Sequence, residues 1–262
     1  MPEGDSIHHL ADRLRPALAG QPLVRLELHR ASALAHRPRP GTLVADVEAV
    51  GKHLLIRFAD GAILRTHLRM TGSWHLYRPG ERWRQPAHRM RALVEVPDAI
   101  AVCFSAPVVA LEHDATGGPA LAHLGPDLTQ PDPDIDACLA RLAARADAEP
   151  GAEVGDLLLD QRIACGVGNV FKSEVLWGCG VDPFARVADV DVDTRRRLLV
   201  MAAKLLRRNA SRRGRRVTHG AGHAVYGHSR QPCPRCGTPI RARGQGWEPR
   251  ITYWCPACQQ SR

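Results

Sequence analysis

The chain has no apolar run that approaches the roughly 20 residues a membrane-spanning helix needs, so no spanning segment and no membrane partner are expected. Its opening, Met1-Pro2-Glu3-Gly4-Asp5, is acidic and lacks the apolar stretch of a secretory leader. A cytoplasmic protein is the expectation. Lysine is scarce, at positions 52, 172 and 204 only, and arginine carries the basic character; that ratio by itself says little about partners. Acid is scarce in one region. From Lys204 to Arg262 there are thirteen Lys or Arg and a single acid, Glu248, whereas the first 203 residues hold 23 basic and 26 acidic residues. A basic module beside a near-neutral body reads as a phosphate-facing surface. With 262 residues, 44% hydrophobic and 24% charged, the remainder is an ordinary globular composition with room for one large core or two modest ones. No internal repeat or low-complexity tract is visible.

Four cysteines near the C-terminus form two pairs, Cys233-Pro-Arg-Cys236 and Cys255-Pro-Ala-Cys258, with eighteen residues between them. Two C-x2-C pairs close a tetrahedral thiolate site with no open vertex, which is the pattern of a structural zinc and not of a catalytic one. Two disulfides or four packed thiols are the alternatives. Cys103, Cys138, Cys165 and Cys179 stand in apolar surroundings and are expected to be buried, unpaired thiols; with a zinc site they fit a reducing compartment.

Apolar residues at 7, 10, 11, 14, 17 and 18 make one stripe of a helix over Ser6–Leu18, with Asp5 or Ser6 as its N-cap. Strand-like stretches follow at Leu23–Leu28, Leu43–Val50, His53–Phe58, Ile63–Leu68, Arg91–Val96 and Ile100–Phe104, with turns at Asp60-Gly61 and Pro97-Asp98. After Gly125-Pro126 the pattern turns helical: Ile135–Ala148, Val154–Asp160, Val170–Gly178 and Asp193–Asn209. Gln130–Asp136, with Pro131 and Pro133, reads as a linker, and the basic, Gly-rich Arg212–Gly227 as a mobile connector. The expected class is α+β: an N-terminal antiparallel β-sandwich over 1–125, a helical domain over 126–215 and a four-cysteine zinc ribbon over 216–262.

Candidates for chemistry are individually ordinary. Removal of Met1 would expose the secondary amine of Pro2, whose reference pKa of about 8 leaves far more neutral nucleophile at pH 7 than a lysine offers. Glu3 is adjacent and can move protons. Lys52 lies at the mouth of a hairpin, Gly51-Lys52-His53-Leu54-Leu55, where a lone lysine is usually just solvated. Gly166-Val167-Gly168-Asn169 opens a helix with free N–H donors, and Arg250 precedes Cys255 on the second ribbon strand.

Together these segments occur in a telling order: Met-Pro-Glu-Gly at the start, Gly-Lys-His-Leu-Leu near 52, His67-Leu-Arg-Met-Thr-Gly-Ser73, Leu157-Leu-Leu-Asp-Gln161 before Gly166-Val-Gly-Asn169, and Val225-Tyr-Gly227 ahead of the cysteines. The chain resembles the formamidopyrimidine-DNA glycosylase and endonuclease VIII family of base-excision repair enzymes over essentially its whole length. The resemblance implies a β-sandwich, a helix-two-turn-helix domain and a zinc ribbon. It implies that Pro2 is the Schiff-base nucleophile, Glu3 the acid for glycosidic cleavage, and Lys52 the lysine that assists β-elimination. Asn169 and Arg250 would hold lesion-strand phosphates, Arg250 also assisting δ-elimination. Arg69 or Met70 would fill the gap left by the extruded base, and His88 and His123 fall near DNA-contact positions. The implied partner is damaged double-stranded DNA, bound by a monomer with one structural Zn2+.

Three departures bear on substrate. Ser6 stands where many members carry a second glutamate, the loop Asp114–Leu121 lacks an Arg-x-Phe pair, and the segment before Val225 is short for a loop that covers oxidised guanine. The last two, with the Met-Pro-Glu-Gly start, favour the endonuclease VIII-like branch and oxidised pyrimidines. An oxidised-purine glycosylase of the same family, or a DNA-binding relative that has lost catalysis, are the rival readings.

Overall fold

A computed structural model describes residues 2–33, 36–113, 121–211, 217–220, 222–246 and 249–260, and the chain divides into two compact units, 1–123 and 124–262. The loop Asp114–Leu121 lies outside the described residues except for Leu121, as do positions 212–216 and 221 of the basic connector.

The first unit opens with α1 (Gly4–Leu18), whose buried stripe of Ile7, Leu10, Ala11, Leu14 and Leu18 follows the helical spacing. The helix starts earlier than its apolar stripe implies. Glu3, not Asp5 or Ser6, is the N-cap, with extended backbone and its carbonyl accepting from the Ser6 and Ile7 amides. Among the described residues nine strands follow: β1 (Arg25–Leu28), β2 (Ser32–Ala33), β3 (Val44–Val50), β4 (His53–Phe58), β5 (Ala62–His67), β6 (Ser73–Tyr77), β7 (Met90–Val96), β8 (Ala99–Phe104) and β9 (Val108–His113). The sequence patterning missed β2, β6 and β9. β2 is two residues long and pairs in parallel with β9, β6 alternates imperfectly, and β9 is a mostly buried run without alternation.

The strands form a four-stranded sheet, β1-β7-β8-β6, and a five-stranded sheet, β2-β9-β5-β4-β3. One core joins them, with Leu54, Ile56 and Leu64 from the larger sheet, Val94, Ala101 and Cys103 from the smaller, and α1 along its side. Trp74 Nε1 donates to Thr66 Oγ1 at 3.0 Å, a polar tie between the two sheets. The small sheet is also covered on its outer face, where Tyr77, Met90, Leu93, Ile100, Val102 and Phe104 form a separate cluster with Trp83. That explains why every residue of β8 is buried, with small side chains facing one way and large ones the other.

The second unit is built on α2 (Ile135–Ala148), α3 (Val154–Leu157), α4 (Asn169–Cys179) and α5 (Val192–Ala210), then the hairpin β10 (Arg241–Gln245) and β11 (Arg250–Trp254). α2 and α5 are capped by Asp134 and Asp191, each accepting from an amide three residues on. α3 stops at Leu157, short of the Asp160 expected from the apolar run, and turns follow. The Pro-rich stretch before α2 is not a free linker: Leu128 just ahead of it belongs to the helical core and Asp134 caps α2. Of the remaining cysteines, Cys103, Cys138 and Cys165 are buried and Cys179 is only partly so.

Candidate active site and DNA-contact residues

Glu3 is buried, at 0% exposure, and Pro2 directly precedes it at the entry of α1. The other end of α1 is fastened to the start of β3: Arg15 Nε donates to Asp46 Oδ1 at 2.9 Å, and the Gly20 amide to the Val44 carbonyl at 2.8 Å. α1 packs along β3. Measured back from the Arg15–Asp46 tie, Gly4 on the helix and Gly51 on the strand lie at similar distances, roughly 17 Å each from the rises of helix and strand. The entry of α1 thus lies toward the end of β3 that leads into the β3–β4 turn, where Gly51 takes φ +55° and Lys52 follows.

Around Lys52 the outer side of the five-stranded sheet holds a group that sequence motifs did not mark as a site. His53 pairs across the ladder with His67, and their rings meet edge to face at 4.8 Å. Arg65 clamps the buried Glu112 through Nη2 to Oε1 at 2.7 Å and Nε at 3.1 Å, and turns Nη1 to His53 Nδ1 at 3.4 Å. Arginine only donates, so His53 Nδ1 accepts; the Arg69 amide likewise donates to His67 Nδ1 at 3.2 Å. Both neutral rings thus carry their proton on Nε2. Burial first, then His67, Arg65, His123 and Lys52, pull His53 down to about 3. Burial, then Lys52, Arg69 and Arg65, pull His67 down to about 4. The signal available beforehand was the repeated pairing of histidine with Lys or Arg neighbours in Lys52-His53 and His67-Leu-Arg69.

Arg69 adopts the left-handed backbone, φ +45°, and Met70 projects at 70% exposure. Gly72 behind them is indispensable to the turn, because a Cβ there would lie 2.8 Å from the Leu68 backbone. Thr71 Oγ1 donates to the Ser105 carbonyl, and the Ser105 amide to the Arg89 carbonyl, so exposed His88 stands at the same rim as Arg69 and Met70. His123, also exposed, ends this unit and is felt electrostatically by His53.

In the second unit the side chain of Asn169, the first residue of α4, donates from Nδ2 to the Ile251 carbonyl at 2.7 Å. Arg250 is the preceding residue, so the helix start and the ribbon strand meet where both candidates stand. Asn169 is 7% exposed and its Oδ1 has no partner among the described residues. One turn further, the fully buried Lys172 donates from Nζ to Thr252 Oγ1 at 2.5 Å and Gln245 Oε1 at 3.3 Å, and the Tyr253 amide reaches Ser173 Oγ. Glu174, also fully buried, accepts from Thr218 Oγ1 and from the amides of Ala224, Val225 and Tyr226 at 2.6–2.9 Å. The described part of the expected mobile connector, from Val217, is therefore held to α4, because these amides have a charged acceptor inside the fold. Gln161 fixes the turn ahead of Asn169, donating to the Leu159 and Val167 carbonyls and accepting from the Gly166 amide.

The four Sγ atoms of Cys233, Cys236, Cys255 and Cys258 all lie within 4.8 Å of one another. Separations of 3.4, 3.5 and 4.0 Å bracket the roughly 3.8 Å edge of a tetrahedron with 2.3 Å metal–sulfur bonds. The cluster suits a metal ion. Trp177 Nε1 points at Cys233 Sγ from α4 at 3.4 Å, the kind of outer bond that orients a thiolate ligand.

The sequence matches the formamidopyrimidine-DNA glycosylase N-terminal domain over residues 1–107 and the formamidopyrimidine-DNA glycosylase H2TH domain over residues 124–219. It is 42% identical to a probable endonuclease 8 2 of Streptomyces coelicolor, covering 99% of this chain and 94% of the relative. The chain belongs to the formamidopyrimidine-DNA glycosylase and endonuclease VIII family. Another member of this family, the DNA-(apurinic or apyrimidinic site) lyase Nei2 of Mycolicibacterium smegmatis, is 37% identical over 99% of both chains. Among solved glycosylase structures, MutM in complex with DNA containing carbocyclic 8-oxo-G superposes with a TM-score of 0.84. That likeness covers 99% of this chain and 100% of that one at 20% identity, and bears on the fold alone. No described helix is long and apolar enough to cross a membrane.

Proposed function

We propose that this bifunctional DNA glycosylase and abasic-site lyase of base-excision repair removes oxidised pyrimidines from duplex DNA, acting as a cytoplasmic monomer. The reading is supported by the packing of α1 along β3 and β4, the strands whose turn bears Lys52, with buried Glu3 at the helix entry directly after Pro2. After loss of Met1, the Pro2 nitrogen forms a bond to C1′ as the bond from C1′ to the base breaks and the amine gives up its proton; Glu3 then protonates O4′ as the C1′–O4′ bond breaks, so that the sugar ring opens to an iminium. The resulting iminium drains electrons from C2′. Loss of the C2′ proton then expels the 3′ phosphate, with Lys52 assisting, and a second elimination expels the 5′ phosphate. Water releases Pro2 from the sugar fragment. The damaged base is rotated out of the stack first, at a cost smaller for damaged pairs, and Met70 or Arg69 occupies the gap.

Asn169, Arg250, His88 and His123 hold the backbone. Zinc is the metal we assign to the four cysteines; it supplies no chemistry and holds the hairpin that carries Arg250. The short segment 218–226, tied down by Glu174, supports a pyrimidine substrate because it leaves little chain for a lid over a purine.

Borohydride trapping and excision from duplexes bearing an oxidised pyrimidine, 8-oxoguanine or an abasic site test this. The expected result is trapping with the abasic and oxidised-pyrimidine duplexes and weak excision of 8-oxoguanine. Preferred 8-oxoguanine excision would make the protein an oxidised-purine enzyme, and binding without trapping would make it a catalytically lost relative. Elemental analysis tests the metal: one zinc per chain is expected, and its absence from the purified protein would overturn the assignment.

A further inference from the structure

β6 and β7 both begin at the same end of the small sheet, since Ser73 and Met90 each pair with Phe104 of β8. β6 ends opposite Ile100, so the connection over residues 78–89 must return the full length of the sheet, four residues of β8 or roughly 13 Å. It does so across the outer face. Trp83 packs on the apolar cluster there, edge to face with Phe104 at 5.6 Å, and the Arg84 amide donates to the Tyr77 hydroxyl at 3.0 Å. The first turn is closed by the Arg78 amide on Glu81 Oε2 at 3.0 Å. The connection is a fastened strap and ends at the rim that carries Arg69 and Met70.

The strap displays Arg78, Arg82, Arg84 and Arg89, all exposed, and its single acid, Glu81, is already used by backbone. None of the four forms an ion pair among the described residues. Four other arginines of the same unit are matched with acid, Arg15 with Asp46, Arg25 with Glu95, Arg57 with Glu48 and Arg65 with Glu112, and Arg13 and Arg91 donate to backbone carbonyls. Four unmatched guanidinium groups on a rigid support repel one another and lower their energy when an anionic surface approaches. A strip of this length faces about four phosphates of one DNA strand at 3.4 Å axial rise.

We propose that the strap 78–89 is a second phosphate-binding surface, which extends the DNA footprint of the first unit from the Arg69–Met70 rim across the outer face of the small sheet. The proposal rests on the DNA-repair reading above. Its test is the slope of log K against log salt, from about 50 to 200 mM, for a 30-base-pair duplex with and without an uncleavable abasic analogue. Arg82→Ala with Arg84→Ala should lower the slope by about 0.9 for each phosphate that is no longer neutralised, up to about 1.8. Replacing both by lysine should keep the slope. Thermal unfolding of each variant reports that the strap's support is intact. An unchanged slope and affinity in the folded double alanine variant would overturn the proposal. Failure of the unaltered protein to trap abasic DNA would instead overturn the catalytic reading, while the slope on undamaged duplex would still report on the strap.

Discussion

In the first unit the groups assigned to chemistry stand at margins: a helix entry, the β3–β4 turn and the Arg69–Met70 turn, with the shared core of two sheets behind them. In the second unit the corresponding groups are part of the packing. Asn169, Lys172, Ser173 and Glu174 lie on one helix, none more than 7% exposed, and their polar atoms join α4 to the β10–β11 hairpin and to the segment around Val225. The first arrangement lets reactive atoms change without touching the fold. In the second, Asn169 is positioned by the same kind of hydrogen bond that holds α4 to the hairpin, so that its position and the local stability are linked.

The largest effect expected is at Pro2. Pro2→Gly, or an uncleaved N-terminal extension, should reduce borohydride trapping to background while the unfolding midpoint moves by less than about 2 °C. A matching loss of stability would erase the distinction between the units. Glu174→Ala is the counterpart in the second unit. It removes the acceptor of three amides, each worth roughly 1–3 kcal/mol when buried and unpaired, while the Thr218 hydroxyl retains the Gly222 carbonyl at 3.2 Å. Calorimetry should show the second unit unfolding at least several degrees earlier, with DNA binding weakened; an unchanged transition would show that this carboxylate is dispensable.

The histidine pair makes the first unit the acid-sensitive one. His53 and His67 are held near 3 and 4, below the ordinary 6.5, so the unfolded chain binds protons that the folded one refuses. Their contribution to stability is present above about pH 6.5 and is lost as pH falls toward 4, each histidine adding a slope of at most about 1.4 kcal/mol per pH unit. His53→Phe should flatten the fall of the unfolding midpoint between pH 6.5 and 4.5. A parallel fall in variant and parent would exclude His53 as its source.

The smallest effect separates two residues that stand together. Arg250→Ala should lower the salt slope of DNA binding by about 0.9, whereas Asn169→Ala should weaken binding with the slope retained, since a neutral amide releases no counterion. Arg250→Ala should also shift products from δ- toward β-elimination. Equal slopes for Arg250→Ala and the parent, with unchanged products, would return Arg250 to an ordinary solvent-facing role.

What the sequence alone determined is what local pattern can carry. The bounds of α2, the apolar stripe of α1, the two cysteine pairs and the family motifs are properties of neighbouring residues, and a period or a spacing reports them directly. β9 escaped because a strand buried on both faces has no alternation to read, and β6 because its burial does not alternate cleanly along five residues. Only the tertiary structure decided that Glu3 is buried at a helix cap, that His53 and His67 share a ladder position, that Glu112 neutralises Arg65, and that Lys172 grips Thr252 and Gln245. Each of these joins residues distant in sequence or depends on burial. Burial and long-range partners are set by how sheets and helices stack, which no window along the chain contains.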